Sequence, residues 1–124
     1  MFREKWERLT ASEWDAFASC WVASISENME PLPKSVLPEA LQSTSDVEQI
    51  AVMMNFTSSP ACQWKFIDFA FKHADQDALS HLAAGPVEHL LGNHGDDYIH
   101  RFEQQANADP RFARMLGACW KYSM

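Results

Sequence analysis

The segment spanning residues 60–73 constrains the fold of this chain more than any other part of the sequence. Ser59 and the proline after it are typical of a helix start, because a serine side chain caps free backbone N–H groups and proline suits the first helical position. On a helical wheel Lys65, Asp68 and Lys72 form one narrow polar stripe, and mainly apolar side chains take the rest of the surface. A helix of this kind must be covered on nearly all sides. We therefore expect it to be the most buried helix, at the centre of a helical domain.

Two capping boxes predict further helices in the first half of the chain. Thr10 is followed three residues later by Glu13, and apolar side chains then recur at helical spacing, which predicts a first helix over residues 11–27. Ser45 with Glu48 forms the same pattern before a second segment that is apolar nearly all round. The first half of the chain is therefore predicted to be helical on either side of its prolines.

The second half of the chain is interrupted more often, which predicts shorter helices. Asp75 can cap a helix that Gly85 ends, and Pro86 can start the next one. Two further glycines within residues 92–95 are expected to break that helix, and Asp109 with the proline after it is expected to open the last one. The sequence contains no sustained period-two alternation and no Asn-Gly or Asp-Gly pair, the usual signals of strands and hairpins. The prediction is an all-α fold with short paired helices in the second half.

Length and composition favour one domain over the whole of residues 1–124. A chain of 124 residues lies within the usual size of a single domain, and 47% of its residues are apolar, enough for one hydrophobic core. We expect about six to seven helices, preceded by an N-terminal segment over residues 1–10. Three prolines follow the first helix, so residues 28–44 are predicted to form an extended, surface-running connection with at most one short turn.

The charge balance disfavours some classes of partner. Seventeen acidic residues against ten lysines and arginines give a formal net charge of −7, which repels phosphate backbones and anionic membrane surfaces. No apolar run approaches the roughly 20 residues that span a bilayer, and the first residues mix charges where a secretory signal needs an apolar stretch. The three cysteines are widely spaced and odd in number, which indicates neither a disulfide framework nor a thiolate zinc site. We therefore expect a soluble cytoplasmic protein that binds neither nucleic acid nor membrane.

One stretch of the sequence resembles a known family. The chain reads LAAGPVEHLLGNHG over residues 82–95, followed by DPRF and by Trp120. This is similar to a family of small bacterial proteins of unknown function, with the pattern AAGPLEDLL, then HG, then DPRF and a tryptophan. The likeness covers residues 47–120, and Val87 and His89 depart from it where the family has leucine and aspartate. The resemblance implies a helical fold and a bacterial origin, and it implies no activity.

A carboxylate and two histidines are the candidates for chemistry. Glu88 stands beside His89 and close to His94, so it could serve as a base or, with His94, as a metal ligand. The competing interpretation is structural. If Gly85 is the helix cap, Glu88 is the third helical residue, where its carboxylate can accept hydrogen bonds from the free backbone N–H groups. No two histidines are four residues apart, as a pair on one helical face would be, and the sequence contains no nucleophile elbow or phosphate-binding loop. We expect no cofactor and no metal site, with Glu88 and His94 as fallback ligands.

The acidic residues favour a binding role. Residues 75–109 carry seven acidic side chains against one arginine. The candidates for contact with a partner lie around the predicted turn at residues 92–95: Glu88, Asp96, Asp97 and Glu103. Together they would focus a negative potential that steers a basic partner. The leading hypothesis is a small acidic helical protein-binding module, in its most concrete form a bacterial immunity protein or antitoxin that occludes a cationic toxin.

Two alternatives stay open. One is a hydrolase or metal-dependent enzyme that uses Glu88, His94 and Asp96 or Asp97, although the lack of a catalytic signature makes an enzyme the less favoured interpretation. The other is a helical regulatory subunit in a homo-oligomer, which would present a large apolar surface patch. The sequence identifies neither the partner nor the oligomeric state.

Overall fold

A computed structural model describes the backbone of residues 2–123 and the side chains of residues 4–117. Within that part of the chain it contains no strand and the following α-helices: α1 (Phe2–Glu7), α2 (Ala11–Ile25), α3 (Val47–Thr57), α4 (Pro60–His73), α5 (Gln76–Leu82), α6 (Glu88–Ala108) and α7 (Pro110–Ser123). The predicted all-α fold is thus confirmed. None of these described helices has the length and apolar character of a membrane span.

The helix starts in the first half follow from side chains that cap free backbone groups. The Thr10 hydroxyl accepts a hydrogen bond from the Glu13 N–H at 3.2 Å, and the Glu13 carboxylate accepts from the Thr10 N–H at 2.9 Å, so the predicted box is confirmed. The second box is shifted by one residue, because Asp46 rather than Ser45 caps α3 by accepting from the Gln49 N–H at 2.9 Å. A carboxylate caps at least as well as a hydroxyl, and the Gln49 side chain returns the bond to the cap.

α4 begins at Pro60 after the Ser59 cap, as predicted, and packs most extensively against α2. Phe66 lies in this contact, with its ring centre 5.0 Å from that of Phe17 and 5.3 Å from that of Trp21. The two helices bury similar shares of their residues, six of 14 in α4 and seven of 15 in α2. The prediction that α4 is the most buried helix is therefore wrong, because α2 shares the central position.

The N-terminal segment, for which the sequence predicts no helix, contributes α1 to the core. Trp6 of α1 is fully buried, and its indole Nε1 donates to the Thr57 hydroxyl oxygen at 2.8 Å. The connection between α2 and α3 contains two short 3₁₀ turns, Lys34–Val36 and Glu39–Leu41, where one at most is predicted. Leu37 between these turns is buried, so the connection is anchored in the core rather than free on the surface.

The largest departure from prediction lies between α5 and α6. Gly85 does not end a helix and Pro86 does not start one, because the backbone continues from α5 into α6 through a π-helical turn over Ala83–Val87. Proline lacks an N–H and its ring crowds the carbonyl one turn earlier, and the wider π turn accommodates both. Within the described backbone no glycine has a positive φ, so Gly85 is not the left-handed cap that the sequence suggests.

α6 consists of two helical segments that meet at a kink. His94 has non-helical backbone angles of φ −138° and ψ 30°, and the helix resumes beyond it to Ala108. Gly92 and Gly95 lie on either side of the kink, which confirms the predicted break, because glycine holds a helix weakly. The predicted short helices of the second half are therefore confirmed at this break, whereas the predicted break at Gly85 and Pro86 is replaced by the π turn.

α7 packs beside α6 and begins, as predicted, after Asp109. The Asp109 carboxylate accepts from the backbone N–H of Arg111 at 2.9 Å. The sequence of α7 has apolar residues at helical spacing, and those with described side chains are buried: Phe112, Met115 and Leu116. Cys119 and Trp120 continue this spacing in the sequence and lie outside the described side chains. One hydrophobic cluster joins residues from each of the helices α1 to α7.

Candidate protein-binding surface

One side of α3 is left uncovered by the rest of the fold. α3 packs into the core through Ile50 and Met54, which are almost fully buried. Another side of the helix carries Val52, Met53 and Phe56, which are 53%, 39% and 74% exposed. These three residues, called the α3 stripe below, share one face of the helix because three or four residues make a turn. A contiguous apolar surface of this kind is more typical of a partner-binding site than of ordinary protein surface.

Phe56 contacts His89 at the start of α6. The two ring centres are 4.9 Å apart and the rings are inclined by 76°, an edge-to-face arrangement that aromatic pairs favour. His89 is half-buried, as is Glu88 beside it in the chain, and the exposed Glu48 lies one turn before Val52 on α3. α3, which carries the stripe, and α6, which contacts it through His89, therefore each supply a carboxylate.

The acidic candidates lie along α6 rather than around a turn. Asp96, Asp97 and Glu103 are exposed, whereas Glu88 is half-buried on the other side of the kink. Asp96 and Glu103 are seven residues apart, so they share one face of the helix at a separation of about 10 Å along its axis. The His100 Nδ1 atom lies 3.7 Å from a carboxylate oxygen of Glu103. The structure thus places three acids on one stretch of helix and does not fold Glu88 back toward them.

Glu88 does not cap a helix. The π turn precedes it, and its backbone N–H donates to the Gly85 carbonyl, so the chain presents no helix start at this point. The capping interpretation is therefore wrong. His94, the other fallback ligand, is half-buried at the kink. Among the side chains with described positions, no three histidines, cysteines or acids are grouped as metal ligands would be. Burial raises the pKa of the Cys20 thiol, which disfavours its reactive thiolate.

Other titratable groups hold helices together away from the α3 stripe. The Ser26 hydroxyl donates to the Asp75 carboxylate, which also accepts from the Ala78 N–H at 2.9 Å. These hydrogen bonds lower the pKa of Asp75 below its ordinary value, because they favour the charged form. His73 Nε2 lies 2.6 Å from Asp15 Oδ1 and joins the end of α4 to α2. These side chains therefore stabilise the fold.

The α3 stripe is the part of this surface that sequence reasoning missed. Its residues belong to a helix that is apolar nearly all round, which suggests burial on every side. The signal that could reveal the stripe is an excess of apolar surface, since a helix at the edge of one core needs only one apolar face. Which side remains uncovered depends on tertiary packing, and no local pattern reports it.

Comparison with known proteins identifies a family without an assigned activity. The model of a family of unknown function (DUF6869) matches residues 39–124. The matched part includes the α3 stripe, the π turn and the acidic candidates on α6, and it leaves α1 and α2 outside. No curated protein and no solved structure matches the chain.

Proposed function

The chain belongs to DUF6869, a family whose function is unknown, and from its own surface we propose that it is a small acidic helical module that binds a basic protein partner. The observation that carries the proposal is the exposure of the α3 stripe, in which Phe56 is the most exposed large apolar side chain among those described. Aromatic side chains that a partner covers are typical anchors of protein interfaces.

Burial of the α3 stripe by a partner supplies free energy that folding leaves unused. Complete transfer of a large apolar side chain out of water contributes about 1.5–3 kcal/mol. Phe56 is 74% exposed, so most of that contribution is still available for binding. The ring contact with His89 orients the phenylalanine before a partner arrives, which reduces the entropy that binding removes.

Charge favours a basic partner over a second copy of this chain. The net charge is −7, so two copies repel each other, whereas a cationic protein is attracted. Glu48 belongs to α3, which carries the stripe, and Glu88 belongs to α6, which contacts the stripe through His89. Further along α6 the negative charge is extended by three exposed acids: Asp96, Asp97 and Glu103. A partner segment with apolar side chains for the stripe and lysines or arginines beside them fits this surface.

In its most concrete form the partner is a cationic toxin or effector, and the chain is a bacterial immunity protein or antitoxin that occludes it. The small size of 124 residues, the acidity and the apolar anchor support this form of the proposal. Immunity proteins are commonly encoded beside their toxins. The product of the neighbouring gene is therefore the first partner to test.

The test is binding of the full chain to that purified product, with calorimetry for affinity and surface plasmon resonance for rates. Phe56→Ser should weaken binding by at least about tenfold, which corresponds to about 1.4 kcal/mol. Leu32→Ser is the matched control, because Leu32 is 43% exposed but lies in the connection before α3. Both variants should retain the melting temperature of the wild type. Unchanged affinity in Phe56→Ser would overturn the role of the α3 stripe.

Charge reversal at Asp96 and Asp97 tests the steering role of α6. The double variant should associate more slowly, and raising the salt from about 0.05 M to about 0.5 M should shrink the difference. Its thermal stability should change little, because exposed charges contribute under about 1 kcal/mol each. Lower stability with a normal association rate would contradict the steering role. Dimerisation of the wild type that Phe56→Ser abolishes would instead support a homo-oligomeric regulatory subunit.

A further inference from the structure

A cleft between α5 and α7 has the composition of a small-molecule site. Its volume is about 300 Å³, and its lining comes from facing sides of the two helices. Leu79 and Met115 are buried and form the floor, whereas Gln76, Ser80 and Arg114 are exposed around it. A concave site of this size with an apolar floor and a few polar groups suits a small organic ligand.

A second arginine of the cleft, Arg111, is held in place by the fold. Its guanidinium donates to the carbonyl oxygens of Phe71, at 3.1 Å, and of Ala74, both at the end of α4. The same group lies over the Phe71 ring, 4.7 Å from the ring centre. Because a guanidinium carries five N–H donors, these contacts leave donors for a ligand. Arg111 is therefore a preoriented cation that lines the cleft.

Among the side chains that the structure describes, the two arginines have no anionic partner. Neither Arg111 nor Arg114 pairs with any acidic side chain whose position the structure describes. Side chains three residues apart on a helix have about 5–6 Å between their Cβ atoms, so these like charges repel each other unless an anion joins them. Asp109, close by in sequence, uses its carboxylate to cap α7. In a chain with seventeen acidic residues, such a pair points to an anion from outside.

We infer that this cleft binds a small phosphate monoester with an apolar body. Two guanidiniums match the nearly two negative charges that a phosphate monoester carries at neutral pH, and their donors fit its oxygens. Gln76 and Ser80 add hydrogen-bonding groups at the rim, and Leu79 contacts the apolar body. A carboxylate supplies one charge for two arginines, and an uncharged ligand supplies none. The cleft shares no residue with the α3 stripe, so the inference does not depend on the proposed function.

The first experiment is an NMR titration of the full chain with phenyl phosphate, followed at the backbone amides. Saturable shifts are expected at the two lining segments, residues 76–83 and residues 110–116. Benzyl alcohol, which lacks the charge, and benzoate, which has one charge, should each bind at least about tenfold more weakly. Inorganic phosphate should also bind more weakly because it lacks the apolar body. If benzoate or benzyl alcohol binds as tightly as phenyl phosphate, the inference that the ligand is a dianion is overturned. If inorganic phosphate binds as tightly, the inference that the ligand has an apolar body is overturned. Chemical shifts confined to other segments would overturn the location of the site.

Variants separate a site from general charge attraction. Arg114→Gln should weaken phenyl phosphate binding by about tenfold, and Arg114→Lys should weaken it less, because lysine keeps the charge but loses the planar fork. Lys65→Gln is the matched control, since it removes the same charge from an exposed position on α4 outside the cleft. Arg111 is left intact in these variants, because its bonds to α4 support the fold. Unchanged affinity in Arg114→Gln, or an equal loss in Lys65→Gln, would overturn the inference.

Discussion

Phe66 and Phe69 differ in environment although they lie one turn apart on α4. Phe66 is fully buried, in contact with Phe17 and Trp21. Phe69 is half-buried, and the Lys72 ammonium nitrogen lies 5.1 Å from its ring centre. The pattern of apolar residues alone assigns both side chains to the core, so it predicts equal losses when either is truncated.

The structure predicts unequal losses at these two positions. Phe66→Ala should lower the free energy of unfolding by about 3–5 kcal/mol, because truncation leaves a cavity that the neighbours do not fill. Phe69→Ala should lower it by about 1–2 kcal/mol, since water already reaches part of the ring. Urea denaturation of both variants measures the difference. Equal losses, or a loss below about 1 kcal/mol at Phe66, would contradict this placement of α4.

Asp75 makes the stability of the fold depend on pH in the acid range. Its folded pKa is lowered, chiefly by the Ser26 hydroxyl and then by the Ala78 N–H, whereas the unfolded chain binds the proton near the ordinary aspartate pKa of about 3.9. A lowered folded pKa stabilises the fold at pH values above the unfolded pKa. That contribution is lost as the pH falls through the folded pKa.

Asp75→Asn tests this dependence, because asparagine still caps a helix but carries no charge. Its melting temperature should lie below that of the wild type at neutral pH, and the gap should close as the pH falls below about 4. Thermal unfolding followed by circular dichroism over the acid range measures it. Asp97→Asn is the control, since that carboxylate is exposed and should show little difference at any pH. A gap that stays constant into acid would show that the charge of Asp75 is not its source.

At the scale of the helices, the π turn contains a glycine directly before a proline, Gly85 and Pro86. A residue before proline is disfavoured in the helical region, because its Cβ and N–H crowd the proline Cδ, and glycine has no Cβ. A Cβ built on Gly85 meets no other atom within 4 Å once its chain neighbours and the backbone of its own helix are set aside. The proline is therefore the main obstacle to a side chain at position 85.

A double-mutant cycle over these two positions follows from that argument. Gly85→Ala should destabilise the wild type, whereas in a Pro86→Ala background the same change should stabilise by about 0.5–1 kcal/mol, the usual advantage of alanine in a helix. Chemical denaturation of the four proteins measures the coupling between the sites. Effects that add within about 0.5 kcal/mol would mean that the proline does not restrict position 85.

Helix starts are predictable from this sequence because a cap is a local interaction. Thr10, Ser59 and Asp109 each begin a helix where the pattern places it, and the second box errs by only one residue. The end at Gly85 is not predictable in the same way, since proline after glycine fits both a new helix and a π turn. Only packing on both sides of the segment decides between them.

The candidate surface is predictable in charge but not in shape. Acidity follows from composition, and the four acids proposed for binding can be named from the sequence. The α3 stripe lies where no element distant in sequence covers α3. The cleft between α5 and α7 lies where two elements distant in sequence pack side by side. Arg111 illustrates the limit, because the carbonyls that position it belong to residues 37 and 40 places earlier in the chain.

At the scale of the molecule, the family match and the folding unit differ. The match covers residues 39–124, but α2 lies outside it and supplies Trp14, Phe17 and Trp21 to the core. Burial of three such side chains contributes at least about 5 kcal/mol. That amount is comparable to the entire net stability of a typical domain, about 5–15 kcal/mol.

A fragment of residues 39–124 should therefore fail to fold alone. It should show no cooperative thermal transition and little near-ultraviolet circular dichroism, and addition of a peptide of residues 1–38 should restore both in part. The full chain measured in parallel is the control. A cooperative transition with native-like near-ultraviolet signal in the fragment alone would show that α1 and α2 are dispensable for the fold.

The π turn also indicates how the length of this segment can change in evolution. A π turn holds about one residue more than an α turn, and each residue of an α-helix rotates the chain by about 100°. Because either kind of turn completes about one rotation, loss of one residue from Ala83–Val87 would convert the π turn into an α turn and leave α6 in nearly the same orientation relative to α5. Leu90 and Phe102 would then stay in the core, and His89 would stay beside Phe56. Relatives can therefore lack one residue of this segment and keep the same packing of α6, and a one-residue gap there in an alignment would mark a protein with an α turn in place of the π turn.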